Sequence, residues 1–438
     1  MRAVRRSNLI IDDPEINGYI NTLGYKLLSQ LDTKNTDFTF FVIDAPGINA
    51  FAGPGGYIIG IHSGLIIEAQ SEGELAAVMA HEIAHVTQKH LARAVQKASV
   101  NNIQTTAIII AAILLSDNPQ LTHAAITASI AGNIQNQLNF SRTHENEADW
   151  LGIDMLAQAG YDPQHMAGFF ERLKSAMRFT DSEEYEFLRT HPVTSQRIIN
   201  AQNRAAKYGE VVEPPSPNFE GIKRKLRAQL HKEDTVYIQQ LNKDIANTTS
   251  PNETDLYELS LLMMHQEQYS KALPLVNKLD SNKPFHVPYI NLKAQLLLRT
   301  GHPEQAYKLL SQALALYPKH PALTTSLINT AILSGHADQA IRLMKAMMQE
   351  QGHFTVPSDY KRLALAYNTI NNPVESYLAM AEYYYRQGLT QAAIDHLSNA
   401  LQQLSNPTQS DYFQQRANAK LEIYKKARLE EKALLSDS

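Results

Sequence analysis

The chain has 438 residues, 44% of them hydrophobic, with 40 basic against 44 acidic side chains and a formal net charge of −4. That length suggests two or three domains with ordinary globular cores, and the lack of a basic excess argues against general nucleic-acid binding. The absence of cysteine excludes disulfides, thiolate nucleophiles, iron–sulfur clusters and thiolate-held zinc, so any metal must rest on His, Asp or Glu.

In chain order, Met1-Arg2-Ala3-Val4-Arg5-Arg6 has the charge of a signal-peptide n-region, but Asp12, Asp13 and Pro14 arrive before an apolar run of about 7–15 residues can form. The chain is therefore expected to be cytoplasmic, or to lack a targeting segment. Next come Phe38–Ile43, Asn49-Ala50-Phe51-Ala52 and Gly55-Gly56-Tyr57-Ile58-Ile59-Gly60-Ile61. Aromatic and β-branched residues between glycines and Pro54 predict strands and turns. The Tyr57–Ile61 strand either pairs with an extended substrate or is internal, with no free edge.

His81-Glu82-Ile83-Ala84-His85 follows on a predicted helix. Ser71 and Glu74 suit a capping box, and Leu75, Ala76, Val78, Met79, Ile83 and Val86 form an apolar stripe. Positions four apart share a helix face, so the two imidazoles can hold a single ion. Glu82 is turned by about 100°, where it can take a proton from a water at the metal without ligating the metal. This pattern is that of hydrolytic zinc chemistry.

A third ligand is needed. A glycine three places after His85 and a histidine three beyond that would extend the site, but Gln88 and Leu91 stand there. His90 is out of phase and is expected at the surface. Between the motifs, the apolar run Ala107–Leu115 is far shorter than the about 20 residues a bilayer needs. With the weaker stretch to Ala131 it reads as a buried helix or lid, with a peripheral membrane contact through 107–131 as the alternative. Phe140-Ser141-Arg142-Thr143-His144-Glu145-Asn146-Glu147-Ala148-Asp149 then opens a helix that Gly160 and Pro163 would close. Glu145 would complete a two-histidine, one-glutamate set, leaving a fourth position for water. Asp149, one turn on, would accept a hydrogen bond from a ligand imidazole and fix its tautomer. Glu147 points elsewhere. In Arg189-Thr190-His191-Pro192, His191 could cap the metal, stabilise the oxyanion or simply be solvated.

Pro214, Pro215 and Pro217 read as a linker. The cluster Lys223-Arg224-Lys225-Leu226-Arg227 reads as a solvated helix face, with an anionic surface as the alternative partner. Beyond it, a small residue recurs five places after a turn: Glu267 then Ala272, Gly301 then Ala306, Gly335 then Ala340, Gly388 then Ala393. The first three turns are 34 residues apart, and Asn371, followed by Ser376, continues at 36. That period is the helix–turn–helix unit of tetratricopeptide repeats.

The order His-Glu-x-x-His, Ser-Arg-x-x-Glu-x-x-x-Asp and His-Pro, with Asn49-Ala50-Phe51-Ala52 and the Gly-Gly strand ahead, resembles the gluzincin metallopeptidases of the HtpX and CAAX-prenyl-endoprotease class. It is most similar to their periplasmic branch, whose members carry a tetratricopeptide half. The resemblance implies that His81, His85 and Glu145 bind one zinc ion per chain, that Glu82 is the catalytic base, and that Asp149 supports them. It further implies that His191 covers the zinc and restrains the protease. Implied partners are unfolded or misassembled outer-membrane proteins, the β-barrel assembly machinery and the lipopolysaccharide-transport barrel LptD, in a periplasmic protease and chaperone. A scaffold with a latent metal site is the alternative.

The expected fold is mainly α, of the α+β kind. A zincin-type metallopeptidase domain with a small sheet (residues 1–210) and a proline-rich linker (211–220) precede an all-α tetratricopeptide solenoid (221–438).

Overall fold

The structure is a computed structural model that describes residues 2–32, 37–53, 57–90, 93, 142–176, 186–209, 211–213, 216–351, 356–403 and 407–436. The apolar segment 107–131, the Pro54-Gly55-Gly56 turn, the start of the second motif at Phe140 and Ser141, and Pro214 and Pro215 lie outside the described residues.

The described chain forms two compact units, one running from Leu9 to Gln266 and the other built from the segments before Leu9 and after Gln266. In chain order the elements are α1 (Arg2–Arg6), α2 (Pro14–Leu28), β1 (Thr39–Ile43), β2 (Ala50–Ala52), β3 (Ile58–His62), α3 (Ser63–Glu68), α4 (Glu72–Thr87), α5 (Arg142–Gln158), α6 (Gln164–Ala176), α7 (Glu186–Thr190) and α8 (Ser195–Ala205). Then follow α9 (Pro217–Leu230), α10 (Thr235–Ala246), α11 (Glu253–His265), α12 (Tyr269–Asn282), α13 (Val287–Arg299), α14 (Pro303–Leu316), α15 (Pro321–Leu333), α16 (Ala337–Gln351), α17 (Pro357–Thr369), α18 (Pro373–Arg386), α19 (Thr390–Gln403) and α20 (Pro407–Ser436).

In the first unit, the residues that interrupt the N-terminal sequence start α2. Asp13 Oδ1 accepts from the backbone of Glu15 and Ile16 at 2.9 and 3.1 Å, and Pro14 takes the first turn, where its missing N–H is no loss. Helix α2 lies on a three-stranded sheet of order β1-β3-β2. β1 pairs β3 in parallel and β2 pairs β3 antiparallel. The predicted strand at Tyr57–Ile61 is thus the internal one, hydrogen-bonded on both sides.

Helix α4 runs beneath the sheet. Ser71 Oγ caps it by accepting from Glu74 N at 3.2 Å. Glu74 in turn accepts from Gln70 N at 2.8 Å, one residue before the expected position, and pairs with Arg172. Every residue from Gly73 to His85 is buried. Each large apolar side chain so buried is worth about 1.5–3 kcal/mol, which holds the polar members of the helix in a dry site.

The chain does not part at the proline cluster. Phe219, Ile222 and Leu226 of α9 belong to the same apolar core as α2, the sheet and α4. The basic cluster on this helix is correspondingly not a solvated face. Lys223 donates to Ala69 O at 2.7 Å, and Arg224 meets Asp255 and Glu258 at 2.7 and 2.8 Å. Lys225 lies 2.7 Å from Asp13 and 2.6 Å from Glu15. Burial works against the Lys225 charge, but the two carboxylates outweigh it and raise its pKa.

In the second unit, each expected turn residue adopts the left-handed conformation that ends a helix: Glu267, Gly301, Gly335, Asn371 and Gly388 have φ of 60, 80, 81, 55 and 84°. The small residues five places on, Ala272, Ala306, Ala340 and Ala393, are fully buried, and Ser376 Oγ donates to Ala364 O at 2.9 Å. Overlapping apolar clusters, one over α13–α15 and another over α15–α18, give the nearest-neighbour core of a solenoid. The N-terminal arginines have a place here. Arg2 lies 3.9 Å over the Tyr385 ring and 2.8 Å from Glu431. Among the described residues, no helix is long and apolar enough to cross a membrane.

Candidate metal centre

Helix α4 presents His81 and His85 on one face, with their Nε2 atoms 2.9 Å apart. Helix α5 crosses it closely because position 152 is glycine. A Cβ there would lie 2.9 Å from Met166 Cε and 3.3 Å from His81 N. This crossing brings in Glu145, whose Oε2 is 3.6 Å from His81 Nε2 and whose Oε1 is 3.4 Å from His85 Nε2. Asp149, one turn along the same face, places Oδ1 3.0 Å from His81 Nδ1.

His191 closes the group from the end of α7, its N–H donating to Phe187 O at 2.8 Å. Its Nδ1 is 3.2 Å from His81 Nε2 and 3.2 Å from both Glu145 oxygens, and its Nε2 is 3.3 Å from Glu82 Oε1. One donor atom from each of His81, His85, Glu145 and His191 lies within 4.8 Å of the others. Ligands about 2.0–2.1 Å from a tetrahedral zinc stand about 3.3 Å apart, so the donor set fits that ion. Glu82 is buried, with a hydrogen bond from the backbone at Ala52.

Electrostatics suit cation binding. Burial, then the neighbouring His81, His191 and His90, depress the His85 pKa well below the usual imidazole range, so that it is neutral, the form that ligates. Burial alone would raise Glu145, but His191, His81 and Arg197 outweigh it and hold the carboxyl at about 2. For Glu82, burial dominates and pushes its pKa up. For His191, burial is opposed by Glu145 and Glu82, which raise its pKa.

Two neighbours were not legible as such. His90 is fully buried rather than at the surface. Helix α4 ends at Thr87 and Lys89 turns with φ 55°, swinging His90 back so that its Nδ1 lies 2.8 Å from His85 Nδ1. Glu147 lies outside the donor group and meets His90 and Arg93 instead. Arg197, on α8 after the Thr194 cap, reaches Asp149 through Nε and Nη2 at 2.8 and 2.7 Å and Glu145 through Nη1 at 2.8 Å. Its spacing from His191-Pro192 was the only signal, and it names no partner.

A two-histidine, one-glutamate group on crossed helices, in a chain that also carries a helical-repeat unit, defines a metallopeptidase joined to tetratricopeptide repeats. Residues 14–205 match peptidase family M48, and residues 297–364 match a tetratricopeptide repeat family. The chain is 32% identical over 406 residues to the beta-barrel assembly-enhancing protease of Escherichia coli K12, covering 92% of this chain and 82% of that protein. It is 30% identical to its Yersinia pestis counterpart over 405 residues, 91% and 82% of the two chains. It is also 29% identical to the mitochondrial metalloendopeptidase OMA1 of Schizosaccharomyces pombe over 180 residues, 41% of this chain and 50% of that one. The chain belongs to the beta-barrel assembly-enhancing protease family.

Proposed function

We propose that the chain is an endopeptidase holding one zinc ion on His81, His85 and Glu145, with Asp149 orienting His81, Glu82 moving the proton and His191 covering the site. The convergence of the four donor residues carries this reading. When bound, zinc supplies Lewis acidity, acidifying water and polarising a peptide carbonyl.

The remaining roles fall to the chain. Glu82, made more basic by its dry surroundings, takes the proton from the attacking water and returns it to the leaving amine. Strand β2, rather than the internal β3, is the edge along which an extended substrate would pair, because Ala52 at its end adjoins Glu82. His191 Nδ1 stands among the donors, at 3.2 Å from His81 Nε2 and from Glu145 Oε1, in the position a fourth ligand would take. This supports the plug over the oxyanion donor, and in this reading a resting form has His191 in place. While the plug is in place, the repeats would act as a chaperone.

We further place this activity in the periplasm, on outer-membrane β-barrel proteins that are either helped to assemble or degraded when misassembled, with the barrel assembly machinery and LptD as partners. Support comes from the name of the relatives matched over nine-tenths of this chain.

The test is metal content measured together with cleavage of an unfolded β-barrel protein. Wild-type protein should carry zinc and lose activity to a chelator. Glu82→Gln should keep the zinc and lose about 100-fold or more in kcat. Retained cleavage by Glu82→Gln would remove Glu82 from the role of base.

A further inference from the structure

His90 and Glu147 form a chain of contacts that ends on His85. His90 Nδ1 lies 2.8 Å from His85 Nδ1, and His90 Nε2 lies 3.0 Å from Glu147 Oε2, which also accepts from Arg93 at 3.1 Å. His90 is fully buried and stacks on His144, with ring centroids 4.5 Å apart. The direction of each hydrogen bond is forced. If His85 faces the metal with Nε2, its Nδ1 carries the proton and must donate. His90 Nδ1 must then accept, so the His90 proton sits on Nε2, and a carboxylate is the partner that holds it there.

We infer that His90 is a positioning residue for the metal centre, fixing the tautomer and orientation of His85, and that Glu147 sets His90 in the tautomer that can do so. The two ligand histidines thereby differ in their surroundings: His81 Nδ1 faces Asp149 Oδ1 directly at 3.0 Å, whereas His85 is reached by a carboxylate acting through an intervening imidazole. Glu147 is 35% exposed, so the support of a buried ligand reaches the surface. The inference rests on the reading of His85 as a metal ligand.

The full-length protein, stripped and reloaded, tests it through zinc affinity by chelator competition and through the visible spectrum of the cobalt(II) form. His90→Phe keeps a ring against His144 but cannot accept, and should weaken zinc binding about 10–100-fold and alter the cobalt spectrum. His90→Asn, which restores an acceptor at the position of Nδ1, should recover most of the affinity and the wild-type spectrum. Glu147→Ala should lose affinity, and Glu147→Gln, which still accepts, should lose less. Wild-type affinity and spectrum in His90→Phe would overturn the inference while leaving the metal centre intact. Equal losses in His90→Phe and His90→Asn, with both folded by circular dichroism, would also overturn it, because shape and not the acceptor would then be what matters. Wild-type protein that takes up no zinc would overturn both the inference and the reading it rests on.

Discussion

Replacing Arg197 by methionine removes one guanidinium and strands two carboxylates. Glu145 and Asp149 are each 3% exposed in their side chains, and Arg197 itself is 5% exposed. Breaking such a buried group by deleting one partner costs about 3–5 kcal/mol. The part that runs through Glu145 is bounded separately, Arg197 being the smallest of the three neighbours that lower its pKa. Glu145 is held at about 2 against an ordinary 4.5, which corresponds to roughly 3 kcal/mol of native-state stabilisation at neutral pH, shared among His191, His81 and Arg197. For a unit of this size, about 2–4 °C per kcal/mol makes the expected fall in Tm about 6–20 °C. The assay is thermal unfolding of metal-free protein, followed by circular dichroism at pH 7 and at pH 4. The sign with pH follows from linkage. A depressed carboxyl contributes fully above its unfolded pKa and loses that contribution as pH falls toward the folded one. Without Arg197 the Glu145 carboxyl is held down less and protonates at higher pH than in wild type, so the deficit should be largest at pH 7 and shrink at pH 4. A metal-free Tm within about 2 °C of wild type at pH 7, or a deficit undiminished at pH 4, would refute the assignment of Arg197 as their counter-ion.

Three further outcomes are expected. His191→Ala should raise the proteolytic rate of the zinc-loaded protein several-fold, measured on an unfolded β-barrel protein; a fall instead would restore the oxyanion-donor reading. Gly152→Val places atoms against Met166 Cε and His81 N, where a Cβ alone would already sit at 2.9 and 3.3 Å. It should destabilise by about 1–3 kcal/mol and weaken zinc binding, since Glu145 and Asp149 ride on α5; unchanged affinity by chelator competition would mean that the helix crossing does not set the site. Gly335→Ala, at φ 81° with open space around it, should cost about 1–2 kcal/mol in urea unfolding through backbone conformation alone, with Gly335→Asn costing less.

Much of the fold was legible because its signals are local. Ser71 and the apolar stripe mark α4, and the 34-residue spacing marks turns that prove to be left-handed even where the residue is Glu267 or Asn371. The sheet order was not legible, since a glycine-bounded apolar strand reads the same at an edge or between two partners. Nor was the destination of the basic cluster on α9: Lys225 looks solvated until Asp13 and Glu15, more than 200 positions earlier, are seen against it.

The same division runs through the metal centre. Residue types able to hold a divalent ion are few, and helical geometry restricts their spacing, so the convergence of His81, His85 and Glu145 could be expected from the sequence. The residues that hold those groups in place are under no such restriction. An arginine six positions after a histidine, or a histidine five after another, is ordinary until tertiary contact gives it a partner. His90 shows this most clearly. Its helical phase points it away from His85, and only the left-handed turn at Lys89, in a residue type that gives no hint of it, brings it back. If that turn is specified by what His90 contacts rather than by Lys89 itself, then Lys89→Gly should ease the backbone and stabilise the protein slightly, with zinc affinity unchanged. A loss of affinity in Lys89→Gly would show instead that the lysine side chain helps hold His90 against His85.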